Sequence, residues 1–177
     1  KVEGMTADAL FEGLGSAWPF EIFPQYLDAI EQRGSAINVA ALVGHTPVRL
    51  YVMGEAATER EETADEIAKM QAIVREGIAA GGLGFATSKA ATHVGYEGRP
   101  VPSRLASFAE IDALAATVPS AGNGVMQATI GQGLALPQFE QLSKAHGIRL
   151  SWTALLGGGG HRRRARRDAR QRLHQRD

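Results

Sequence analysis

The spacing of apolar residues along the chain changes period several times. Around Thr6 it predicts a short helix running through Leu10 and Phe11, with the Thr6 hydroxyl as its cap. A second helix is predicted after Pro24, with Tyr26, Leu27 and Ile30 on one face and Gly34 as its stop. Between them, Trp18-Pro19-Phe20-Glu21-Ile22-Phe23-Pro24 is aromatic and broken by prolines, and reads as a surface loop that folds its rings onto the body. The period then shortens. Ile37-Asn38-Val39-Ala40-Ala41-Leu42-Val43 is almost continuously apolar and ends at Gly44-His45, the pattern of a strand buried on both faces of a parallel sheet.

A long excursion follows, with a short helical or irregular piece around Pro47 to Met53. Thr63 and Glu66 have the spacing of a capping box, and Ile67, Met70, Ile73, Val74 and Ile78 follow at helical intervals up to Gly81-Gly82. Leu83 to Ser88 is the next strand. The polar loop Lys89 to Arg104 leads to a second capping box, Ser107 and Glu110, whose helix carries Ile111, Leu114 and Val118 and ends near Pro119 and Gly122. Gly124 to Ile130 is a third strand. Pro137 opens a helix bearing Phe139, Leu142 and Ala145 that closes at Gly147, and Ile148 to Leu156 is a fourth strand. The alternation amounts to three strand–helix–strand crossovers. The fold class is therefore α/β with parallel strands, either a doubly wound sheet or part of a (β/α)8 barrel. No Gly-rich fingerprint joins a strand to the start of a helix, which argues against dinucleotide binding.

Composition narrows the classes. With 177 residues, 44% hydrophobic and 21% charged, the chain suits one soluble globular domain or part of a larger one. No apolar run reaches the roughly 18–20 residues of a membrane helix, so no membrane partner is expected. The absence of Cys excludes disulfides and thiolate chemistry, fits a reducing compartment, and makes a cytoplasmic location the expectation. Lys1 in first position, with no leader pattern behind it, suggests a segment of a longer protein.

Zero formal net charge hides an asymmetry. His161 to Asp177 holds eight Arg and two Asp, leaving an acidic excess in the body. Two segments follow from this. Residues 1–156 form the α/β body, and residues 157–177 form a Gly157–Gly160 linker with an Arg-rich tail. The tail has three readings: a phosphate-binding nucleic-acid arm, a solvated basic helix, or the product of a shifted reading frame. No aromatic residues interleave the basic run, so nucleic acid is not the favoured partner.

In both architectures chemistry gathers at the carboxyl ends of the strands: His45, Ser88, Thr129 and the region after Leu156. His45 follows Gly44 at a buried strand end, where an imidazole can ligate a metal, move a proton or bond a substrate, or simply bond a loop carbonyl. Arg49 has the chemistry to hold an anion. Thr87 and Ser88 offer hydroxyls to a substrate or to the following turn, and no Gly-x-Ser-x-Gly elbow makes Ser88 a nucleophile. His93 reads as a loop residue, and His146 as a cation suited to a helix end. The substrate-binding candidates are therefore His45, Arg49 and Ser88. No catalytic residue is assigned. The histidines are scattered, with no metal-ligand spacing, so no metal site is expected in this chain.

Several segments in order, Phe23–Glu31, Asn38–His45, Arg49–Gly54, Thr63–Ile67 and Gly82–Ser88, resemble the N-acyl-D-amino-acid deacylase (D-aminoacylase) family of the amidohydrolase superfamily. The resemblance runs from about Val2 to Leu156. It implies a (β/α)8 barrel hydrolase, with this chain as an internal fragment of four consecutive strands. It also implies a zinc ion that activates water against the amide of a small N-acyl amino acid, with a second metal position possible in the superfamily. By the same resemblance, the His-x-His pair and the Cys ligand lie upstream of Lys1, and the catalytic Asp lies downstream of Asp177. A His ligand is expected near Met126-Gln127-Ala128-Thr129, and none stands there. Four strands alone leave two open edges, so the isolated chain is expected to bind no zinc and to have no deacylase activity. Two other readings stand beside this one: a small α/β binding module whose basic tail contacts nucleic acid, and a barrel of this family with altered chemistry.

Overall fold

The computed structural model describes residues 6–15, 18–118, 122 and 124–153. The Gly157–Gly160 linker, the Arg-rich tail and the predicted strand extension Ala154–Leu156 lie outside the described residues. Two helices, α1 (Ala7–Leu14) and α2 (Phe23–Arg33), precede the sheet. The Thr6 side chain caps α1 by accepting from the Ala9 N–H at 3.2 Å. The rings of Trp18, Phe20 and Tyr26 pack in sequence, tilted and then edge-on, with centroids 4.8 and 5.0 Å apart. From this segment Phe23 packs against the main core.

The sheet has four parallel strands, β1 (Leu42–Gly44), β2 (Gly84–Ser88), β3 (Val125–Thr129) and β4 (Arg149–Thr153), side by side in chain order. Helix α3 (His45–Met53) follows β1 directly. Helices α4 (Ala64–Ala79), α5 (Phe108–Ala115) and α6 (Leu136–His146) then connect successive strands. The two expected capping signals at Thr63 and Ser107 both start helices, and Gly147 ends α6 in the left-handed conformation.

One strand is shorter than its pattern predicts. Ile37 to Ala41 lies outside the sheet, with Ile37 76% and Val39 53% exposed. β1 is an edge strand, and its neighbour β2 begins only at Gly84, opposite Leu42. The residues before Ala41 therefore have no ladder to join, whatever their hydropathy. The short helical or irregular piece expected around Pro47 to Met53 is a helix that begins two residues earlier, at His45. Pro47 sits in its first turn, where no N–H is required.

Register decides which face each side chain takes. Val43, Phe85, Met126 and Leu150 form one row across the sheet and pack with Met70, Val74 and Ile78 of α4, Ile111 and Leu114 of α5, and Phe139 and Leu142 of α6. Burying each such side chain contributes about 1.5–3 kcal/mol. All three crossover helices thus feed one core on one face. A doubly wound sheet reverses its strand order and puts helices on both faces. An unreversed order with one helical layer is the wall of a barrel. Gly84 makes this wall possible where β2 and β3 meet. A Cβ there would drive into the Val125 backbone, and its φ of +154° disfavours a side chain. Among the described residues no helix is long and apolar enough to cross a membrane.

Candidate functional site

The carboxyl ends of the strands carry two polar groups on opposite faces. On the helical face, His45 occupies the first turn of α3, one row beyond Gly44, beside Thr87. Its Nδ1 lies 2.7 Å from Thr87 Oγ1, and its Nε2 is hydrogen-bonded to Glu110 at the start of α5. Arg49 is one helical turn further along α3, fully buried. It donates to Glu110, to Glu62 at 2.8 Å, and to the backbone carbonyls of Ala57 (3.2 Å) and Arg60 (2.7 Å). One guanidinium thereby pins the excursion after α3 to the N-terminus of α5.

The capping arrangement at α5 differs from the predicted box. Ser107 Oγ accepts from the Glu110 N–H at 3.1 Å, as expected. The Ser107 N–H and hydroxyl are instead taken by Glu62, which comes from a loop 45 residues away. This releases the Glu110 carboxyl to face Arg49 and His45. No short-range sequence signal marks the exchange.

Burial controls the protonation states. Desolvation, reinforced by the Arg49 charge, lowers the His45 pKa to about 3, so the ring is neutral at neutral pH. Burial, and then the neighbouring Glu62, push Glu110 up to about 8. For Glu62 burial works upward but is outweighed by hydrogen bonds from Glu110, Ser107 and Arg49, which bring it down to about 2. The two carboxyls flank one guanidinium, and the deeper one keeps a proton. Lys89 closes the cluster, donating to the carbonyls of Arg104 (2.5 Å) and Ala106 (2.7 Å).

On the open face, the register aligns Ser88, Thr129 and Thr153 in the last row. Thr129 and Thr153 hydroxyls lie 3.4 Å apart. The row below is Ala86, Gln127 and Ser151, and Arg149 stands at the opposite, amino end. Ser88 Oγ meets the Ala90 N–H at 3.4 Å, and its carbonyl accepts from Ser103 at 2.9 Å.

Of the substrate-binding candidates, the fold thus brings His45 and Arg49 together behind the sheet and places Ser88 in front of it. Arg49 lies buried in helix α3, and His45 bonds side chains rather than a loop carbonyl. His93 uses its carbonyl to accept from Arg104 at 3.4 Å. His146, in the last turn of α6, meets Asp112 at 2.9 Å. Glu62, Glu110 and Thr153 are participants that reasoning from the sequence did not single out. Among the described residues no three His, Asp or Glu side chains gather as a metal-ligand group. Among the described residues the side chains near these strand ends do not fit a zinc centre, because both nitrogens of His45 are already engaged. A cleft of about 340 Å³ lies elsewhere, walled by Phe23, Val43, Pro47, Val48, Tyr51 and Ile73, and does not border the hydroxyl row.

Comparison with known proteins agrees with this architecture. No family model matches the chain. A D-aminoacylase from Alcaligenes xylosoxydans xylosoxydans is 38% identical over 73 residues, which is 41% of this chain and 15% of that protein. An N-acyl-D-glutamate deacylase from the same organism is 35% identical over 119 residues, 67% of this chain and 22% of that protein. Among solved structures, a D-aminoacylase studied for its binuclear metal centre superposes with a TM-score of 0.60 at 27% identity, over 78% of this chain and 29% of the other. An N-acyl-D-glutamate deacylase from Bordetella bronchiseptica, complexed with zinc and a phosphonate inhibitor, superposes with a TM-score of 0.61 at 24% identity, over 97% of this chain and 35% of the other. That last likeness speaks for the fold. Four parallel strands in chain order, helices on one face and polar strand ends define part of an amidohydrolase-type (β/α) barrel. Within that class, the chain is similar to D-aminoacylases and N-acyl-D-amino-acid deacylases. It spans 15% and 22% of the length of the two curated relatives described above.

Proposed function

We propose that the protein carrying this chain is a metal-dependent amidohydrolase that cleaves the amide of N-acyl-D-amino acids, and that this chain forms four consecutive strands of its barrel wall. In the reaction, water oxygen bonds to the acyl carbon, the C–N bond breaks, and the proton goes to the departing amine. The products are a carboxylate and a D-amino acid. The observation that carries the reading is the 119-residue match to an N-acyl-D-glutamate deacylase, on a sheet whose strands run unreversed in chain order. The relatives' metal dependence supports zinc as the cofactor, held by side chains beyond these four strand ends. The chain's own part is structural at β1 and β2, where Arg49, Glu110 and Glu62 lock the strand ends. At β2 to β4 it presents hydroxyls to the barrel mouth.

The test is release of free D-amino acid from N-acetyl-D-glutamate, N-acetyl-D-aspartate and N-acetyl-D-leucine by the purified full-length protein, with the L-enantiomers as controls. Release confined to D-substrates and abolished by a chelator is expected. No release, or release indifferent to chelator, would sink the reading.

A further inference from the structure

We infer that the strand ends of β2, β3 and β4 are a binding surface for the neutral amide of an acylated substrate and contribute no metal ligand. The inference rests on the deacylase reading for the identity of the substrate. Three observations carry it.

First, the last open-face row is Ser88, Thr129 and Thr153, and the row beneath it is Ala86, Gln127 and Ser151. These six positions hold no imidazole, thiolate or carboxylate, the groups that bind zinc. Second, the imidazole nearest the row is on the other side of the sheet. Both His45 nitrogens are engaged, by Thr87 and Glu110, and the Arg49 contacts hold Glu110 in turn. Turning His45 to the open face would leave Glu110 and Thr87 buried without that partner. Third, the row is electrically neutral. Arg149, on the same face, lies at the amino end of β4, four residues from Thr153. A carboxylate would find no counter-charge in this row, whereas an amide C=O and N–H match hydroxyls that each both donate and accept. Thr129 and Thr153 are 3.4 Å apart, close enough for one amide oxygen to meet both.

The experiment uses the full-length protein and its Thr129→Val, Thr129→Ser and Thr153→Val variants. Bound metal is measured by elemental mass spectrometry after dialysis, steady-state kinetics with an N-acetyl-D-amino acid, and folding by circular dichroism. Thr129→Val is isosteric, and loss of one neutral hydrogen bond predicts a KM raised about five- to tenfold with kcat within about twofold. Thr129→Ser restores KM. Metal content stays at the wild-type value in all three variants. Loss of metal in Thr129→Val overturns the inference, and so does an unchanged KM in both valine variants. A wild-type protein that holds metal but turns over no N-acyl-D-amino acid sinks the deacylase reading. In that case metal retention by Thr129→Val, with weaker calorimetric binding of N-acetyl-D-glutamate, still supports the strand-end assignment, and metal loss still overturns it.

Discussion

Arg49 of α3 and Glu110 of α5 are in direct side-chain contact, 61 residues apart in sequence and both fully buried. Their pairing ties the helix that leaves β1 to the helix that leads from β2 to β3, although β1 has only three residues. The guanidinium also satisfies Glu62 and two loop carbonyls, so the pair is desolvated but not orphaned.

Removing the cation tests this. Arg49→Met leaves Glu62 and Glu110 buried without their donor, and a loss of about 3–5 kcal/mol in urea denaturation is expected. Arg49→Lys recovers little of it, because an ammonium cannot span Glu62, Glu110, Ala57 and Arg60 together. A loss below about 1 kcal/mol in the methionine variant would show that the network is not holding the excursion.

The opposed pKa shifts predict the pH profile of stability. Glu110 keeps its proton in the folded state up to about 8, whereas the unfolded carboxyl ionises near 4.5, so its contribution is lost as pH rises from 4.5 to 8. His45 is neutral in the folded state down to about 3 but charges near 6.5 when unfolded, so its contribution is lost as pH falls from 6.5 to 3. Between 4.5 and 6.5 the two slopes oppose each other, and above 6.5 only the Glu110 slope remains of this pair. Thermal midpoints measured from pH 4 to 9 should plateau and then fall above about 6.5. In Glu110→Gln the alkaline fall should disappear. Its persistence in the glutamine variant would assign it elsewhere.

The two helix caps should differ in cost. Thr63 is exposed and its box is local, with Glu66 accepting from the Thr63 N–H at 2.8 Å, so Thr63→Ala is expected to cost about 1 kcal/mol. Ser107 caps α5 and also bonds Glu62 beside the buried cluster. Ser107→Ala is therefore expected to cost about 2 kcal/mol or more. Equal midpoints for the two variants in urea would contradict the role given to Glu62.

At Gly84 the backbone of β3 leaves no room for a side chain. Gly84→Ala forces a Cβ into the Val125 backbone at a φ suited to glycine, and should destabilise by about 3 kcal/mol. Gly98→Ala, at positive φ but with open space around it, should cost about 1 kcal/mol. Comparable losses at the two positions would mean that backbone conformation, not the close strand approach, sets the cost.

Local rules carried the sequence a long way. Thr63, Ser107 and Gly147 bound helices through hydrogen bonds reaching only three or four residues, so the chain declares those ends itself. The helical spacing of Met70, Val74 and Ile78, and the apolar strand positions between glycines and prolines, likewise declared alternating β and α elements and their parallel sense. The ordered segments from Phe23 to Ser88 carried the resemblance to the deacylases. What the sequence could not determine depends on pairing across long separations. Whether Ile37 to Ala41 joins a sheet depends on where β2 begins, and that is settled by Gly84 meeting Leu42 and Val125. Whether the sheet is doubly wound or part of a barrel depends on strand order, which periodicity does not encode. Whether His45 faces a substrate or a buried Glu110 depends on how α3 leaves β1: its first residue, His45, meets Thr87, while Ser88, the next residue along β2, takes the other face. Tertiary structure alone decided that the candidate histidine and arginine stand behind the wall and that three hydroxyls stand in front of it.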